Sequence, residues 1–92
     1  MTETDPDFEF HSEQGFYYNQ GITYLQLQEY EQAATAFAKV KRGEKLDNAY
    51  WYRAMALLKT DPAAAKEVLQ QISERQGHPQ RKLAGEILNQ LP

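Results

Sequence analysis

Ninety-two residues, 41% hydrophobic, 12% aromatic and 25% charged, can build one small hydrophobic core and not several domains. The absence of cysteine removes disulfides, thiolate catalysis and cysteine-ligated zinc or iron–sulfur centres. A net charge of -3 argues against a nucleic-acid partner, because phosphate binding is driven by clustered Lys and Arg, and no apolar run approaches the about 20 residues of a membrane span.

The segment 1–13 carries Glu3, Asp5, Asp7, Glu9 and Glu13 with no Lys or Arg, so nearly all the net acidity sits in this N-terminal tail. Such a segment has few apolar groups to offset its ordering entropy, and residues 1–7 are expected to be mobile. Phe8 and Phe10 alternate with acids, a pattern open to two readings: a short extended piece packed on the domain, or the first turn of a helix opened by Asp5-Pro6. From about Gln14, Tyr17, Gly21, Tyr24 and Leu25 recur at helical steps and predict a first helix ending near Gln28. Tyr30, Ala33, Ala34, Phe37 and Val40 predict a second, ended by Lys41, Arg42 and a C-capping Gly43. Trp51, Ala54, Met55 and Leu58 predict a third over 49–58. Asp61-Pro62 then supplies an N-cap and a first-turn proline for a fourth helix, whose apolar face is Ala65, Val68, Leu69 and Ile72. Gly77-His78-Pro79 marks another stop and start, with Leu83, Ile87, Leu88 and Leu91 forming a last stripe over 79–91. No segment alternates at period two for long enough to predict a strand.

Tyr17-Tyr18 and Trp51-Tyr52 stand 34 residues apart, and Ala33/Phe37 and Ala65/Leu69 stand 32 apart, a helix-pair repeat shortened at the Thr60-Asp61-Pro62 corner. Tyr17, Gly21, Tyr24, Tyr30, Ala33, Phe37 and Val40, followed by Trp51, Ala54, Leu58, Ala65, Leu69 and Ile72, make 14–72 resemble the tetratricopeptide repeat family, with departures at Gln20, Met55 and the missing proline near Lys45. The second half also resembles C-terminal repeats of many bacterial proteins. The resemblance implies an all-α fold: a right-handed stack of two antiparallel helical hairpins, repeat 1 over 14–47 and repeat 2 over 48–77, with a capping helix over 79–91. It implies Tyr17 and Trp51 in the core, and Tyr18, Ile22, Tyr52, Ala56 and Lys59 along a concave partner groove, with Gln26 beside them. It further implies a non-catalytic protein- or peptide-interaction module without cofactor, or else a self-associating, assembly domain of a larger bacterial protein. The family's clamp for a C-terminal carboxylate would need a lysine at Tyr18 and an asparagine at Ile22, so that activity is not implied, although Arg53 can offer a cation to an acidic ligand.

Elementary packing points the same way, since Gly21 and Ala33 on facing helices would let two backbones approach closely while large rings fill the wedges beside them. Catalytic groups are sparse. His11 and His78 are the only histidines and Ser12 and Ser73 the only serines, and adjacency of His11 and Ser12 in sequence is not the facing geometry a nucleophile and base require. His78, beside Pro79, reads as a helix N-cap neighbour or a solvent-facing group. Asp7, Glu9 and His11 are possible metal-ligand types at alternate positions, against the reading of a solvated acidic tail. The glycines form no phosphate-cradling cluster. Lys39, Lys41, Arg42 and Lys45 cluster where cations meet a helix C-terminus, and could alternatively face an acidic partner or the chain's own tail. The expected setting is the cytoplasm, or a soluble domain of a larger protein.

Overall fold

A computed structural model of the chain describes the backbone of residues 6–92 and the side chains of residues 13–92. The described residues form five helices and no strand: α1 (Pro6–Gln26), α2 (Tyr30–Ala38), α3 (Leu46–Thr60), α4 (Pro62–Glu74) and α5 (Arg81–Gln90). The first helix therefore begins at Pro6 rather than near Gln14, the helical alternative for Asp5-Pro6, with proline at the position where a missing N–H costs nothing. The expectation for residues 1–5 lies outside the described residues.

Each helix packs mainly on its neighbours in sequence, α1 on α2, α2 on α3, α3 on α4 and α4 on α5. The row measures 56 × 30 × 16 Å, and its radius of gyration of 14.3 Å exceeds the about 12 Å of a compact chain of this length. An open row cannot gather one central core, and the apolar side chains form two. In the first, Ala33, Ala34, Phe37, Val40, Ala49 and Ala56 are buried beneath Tyr17, Tyr18, Ile22 and Tyr52. In the second, Ala54, Val68, Leu69, Ile72 and Ala84 are buried beneath Trp51, Leu58 and Ile87. Helix α3 is the shared wall: Ala49, Tyr52 and Ala56 face one core, Trp51, Ala54, Met55 and Leu58 the other, and Leu57 touches both. Apolar on two sides, α3 is buried between neighbours, as such a helix must be. Alanine at so many contact points allows close helix approach.

Equivalent positions of the two helix pairs are buried alike. Ala33 and Ala65 are 0% exposed, Phe37 and Leu69 at most 1%, and Val40 and Ile72 at most 4%. The contact of α1 with α2 differs from the expected meeting of Gly21 with Ala33. A Cβ at Gly21 would lie 2.6 to 2.8 Å from three atoms of the Phe37 ring, so it is the aromatic ring that fills the space left by the glycine.

The helix ends follow local chemistry with two corrections. Asp61 caps α4 as expected, its carboxylate accepting the Ala64 N–H at 3.2 Å. Gly43, expected to cap α2, lies beyond that helix in the 39–45 loop with φ 99°, because α2 already ends at Ala38 with a right-handed Lys39 as its cap. Pro79 lies before α5 rather than inside it, in a turn reached through Gly77 at φ 86°. Helix α1 closes on a six-to-one bond, Glu29 N–H to the Tyr24 carbonyl at 2.8 Å, with Gln28 in the left-handed region at φ 62°. A side chain there costs about 1 to 2 kcal/mol that glycine avoids, partly offset by glycine's greater freedom in the unfolded chain. Gln28→Gly is expected to raise stability by about 0.5 to 1 kcal/mol in urea unfolding; a loss would show that the Gln28 side chain has a stabilising role of its own.

Two buried polar side chains pin the loops. Gln14, 7% exposed, accepts at Oε1 from the Lys41 N–H and, at 3.3 Å, from the Arg42 N–H, fastening α1 to the loop after α2. His78, 5% exposed, is of the two expected roles the neighbour of a helix N-cap, Gln80 of α5, and not the solvent-facing group. Its Nδ1 accepts from the Gln80 N–H at 2.9 Å, so Nε2 carries the proton and donates to the Asp47 carbonyl at 2.9 Å. Beside it Arg75 Nε meets Asp47 Oδ1 at 2.9 Å, and its guanidinium lies over the Tyr50 ring. The α4–α5 turn is thereby tied to the start of α3.

Candidate functional site

Helices α1 and α3 stand on the same side of the first core and meet through their tyrosines. The ring centroids of Tyr18 and Tyr52 are 6.4 Å apart, and both rings lean on Phe37, at 5.8 and 5.7 Å. Aromatic pairs at these tilted geometries are stabilising, so Phe37 acts as the floor that holds the two tyrosines at fixed angles. Both tyrosines remain half-buried, each keeping part of its surface outward.

Of the expected groove residues, the structure brings Tyr18, Ile22 and Tyr52 together around the first core. Ala56 is 0% exposed and packs inside that core, so it is support beneath the strip and not contact surface. Lys59 is exposed, with its ammonium 5.8 Å from the centre of the Tyr30 ring. Tyr17 and Trp51, expected in the core, are only half-buried and roof it. Tyr17 stacks edge-on with Phe16 and carries Lys39 above its face at 5.3 Å.

Two residues extend the strip that the repeat pattern alone did not single out. Lys45 places its ammonium 5.4 Å from the centre of the Tyr18 ring, and the Asn48 amide lies beside the Tyr18 hydroxyl. Lys45 to Lys59 spans about 21 Å of α3 at 1.5 Å per residue, with a cation over a tyrosine at each end. The signal in the sequence was the steps of three, four and seven residues from Lys45 to Asn48, on to Tyr52 and on to Lys59, one face of a helix. The basic cluster is thus divided: Lys39 and Lys45 sit on tyrosine faces, while the backbone N–H groups of Lys41 and Arg42 serve the Gln14 bond.

Burial raises the Tyr18 hydroxyl above its ordinary value near 10, the Tyr52 hydroxyl adds to this, and the neighbouring Asn48 amide opposes it. The neutral phenol is therefore favoured by folding. Its stabilisation is complete below the unfolded-state value and is lost as pH rises through the higher folded-state value. In an alkaline titration followed at the phenolate absorbance, Tyr18 is expected to ionise later than a free tyrosine, and Tyr18→Phe should remove that late fraction. A titration curve unchanged in shape by the substitution would contradict the burial of this hydroxyl.

Among the described residues, no group of three or more His, Asp or Glu side chains converges to hold a metal ion, and no helix is long and apolar enough to cross a membrane. The Asp7, Glu9 and His11 side chains lie outside the described set. No protein-family model matches the chain, and no curated protein or solved structure matches it either.

Proposed function

We propose that the chain is a non-catalytic interaction module of the tetratricopeptide type, a right-handed stack of two helical hairpins closed by α5, that holds a protein or peptide segment on the strip between α1 and α3. The observation that carries this reading is the trio of rings: Tyr18 and Tyr52 are braced on a buried Phe37, so their outward edges are pre-organised. Tyrosines held this way supply contact area at low entropic cost, and fixed aromatic anchors are frequent binding hot spots. Lys45 and Lys59 at the two ends favour a segment with an apolar middle and acidic flanks. The matched burial of Ala33 with Ala65 and of Phe37 with Leu69 supports the repeat.

Substitution of a photo-crosslinking benzoylphenylalanine at Tyr52, with Gln70 on the exposed side of α4 as control, tests the reading in the native cell. A different protein attached at position 52 and not at 70 is the expected result. Crosslinks confined to position 70 would contradict it. A second reading, self-association, is favoured by Phe16 on the end helix α1 and Leu27 just beyond it, which are 61% and 62% exposed. Crosslinks from position 52 to another copy of the chain, together with a concentration-dependent mass in sedimentation, would establish that reading instead.

A further inference from the structure

About a quarter-turn round α3 from Tyr52, the Arg53 side chain lies half-buried in the furrow between α2 and α3. A guanidinium has five N–H donors, and among the described residues Arg53 makes no hydrogen bond, ion pair or ring contact. Leaving such a group half-dehydrated without an acceptor is unfavourable, and a carboxylate supplied from outside would relieve it.

The furrow has the shape and charge to specify what supplies it. Two recesses, both lined by Ala38 and Arg53, join end to end along the pair of antiparallel helices. On α3 the lining comes from Leu46, Tyr50, Arg53 and Leu57, at steps of four, three and four, and on α2 from Ala34 and Ala38. Ridges at helical spacing on both walls, with alanine on the floor of one, accept the ridge of a third helix. The ends differ in charge: Lys41 lies at one, Glu31 and Asp61 at the other. Asp61 spends its carboxylate on the α4 cap and Glu31, in the same recess, makes no ion pair with Arg53, which leaves the guanidinium open to an acceptor carried by an occupant.

We propose that the α2–α3 furrow is a second docking surface, for an amphipathic helix of a partner protein that lays its apolar stripe on Ala38 and Leu57, above the buried Ala34, and sets a carboxylate on Arg53. The charge asymmetry orients that helix, acidic side chains toward Lys41 and a basic one toward Glu31. This surface is separate from the tyrosine strip and does not depend on it.

The probe is a blocked synthetic helix of about 12 residues, enough to run the length of α2 at 1.5 Å per residue, with a leucine stripe, a lysine near one end and glutamates near the other. Its counterpart has glutamines in place of the glutamates. Titrated into the isotope-labelled full chain, the acidic helix is expected to shift the Arg53 Nε–H resonance and to bind about tenfold more tightly than the amide version. Arg53→Met should abolish that preference, and Arg53→Lys should retain part of it, since an ammonium keeps the charge but loses the planar fork. Equal binding of the two helices, shifts centred on Tyr18 and Tyr52, or no binding at millimolar peptide would each overturn the proposal, and the comparison on the unsubstituted chain does so even if a variant fails to fold.

Discussion

Phe37→Ala is expected to cost about 3 to 5 kcal/mol, the usual penalty for emptying a fully buried aromatic site. The side chain is 1% exposed and, among the described residues, is the one ring that both Tyr18 and Tyr52 lean on, at 5.8 and 5.7 Å. Removing it leaves a void against Gly21 and withdraws the floor beneath the tyrosine strip, so stability and binding geometry should fall together. A domain of this length has about 5 to 10 kcal/mol in hand, and each kcal/mol moves the melting temperature by about 4 to 8 °C. Thermal unfolding followed by circular dichroism should therefore drop by about 15 °C or more. A fall of less than about 5 °C would mean that the row of helices is held elsewhere.

Gly21→Leu is expected to cost about 1 to 3 kcal/mol or more by the opposite mechanism, inserted volume. Even the first added carbon would stand 2.6 Å from the Phe37 ring, a distance real Cβ atoms essentially never reach. The ring has little room to yield because tyrosines flank it. Gly85 gives the contrast: it too is within a helix, nothing lies within 4 Å of an added Cβ, and Gly85→Ala should raise stability by about 0.5 to 1 kcal/mol. Chemical unfolding of the two variants should move in opposite directions. Should both stabilise the chain, α1 is not seated on Phe37.

What the sequence made legible was the periodicity of residues whose partners are local. Ala65, Val68, Leu69 and Ile72 recur at helical spacing, and all four are buried; Asp61-Pro62 announced α4 and caps it as a polar side chain at that position should. Gln14 and His78 were beyond reach because their partners are distant in sequence, Lys41 and Asp47, and nothing in a single chain of letters marks which glutamine or histidine will meet a loop backbone. The start of α1 was obscured for a related reason. Acidic residues interrupt its apolar pattern before Gln14, so the hydrophobic period carries no signal there although the backbone continues as helix. For the strip, family resemblance pointed to Tyr18 and Tyr52, but a spacing argument cannot tell a contact surface from its support, and Ala56 proved to be support.

The central claim is that α1 docks on the rest of the row by seating the Phe37 ring in the space a glycine leaves, and that the tyrosine strip is built on this contact. A double-mutant cycle of Gly21→Ala and Phe37→Leu, measured by urea unfolding of the full chain, tests it most directly. The smaller, flexible leucine can withdraw from an added methyl as a wedged ring cannot, so the two substitutions together should cost less than the sum of their separate costs, by about 1 kcal/mol or more. Strictly additive costs would show that the two residues do not touch, and would contradict the proposed seat of α1 and the strip built upon it.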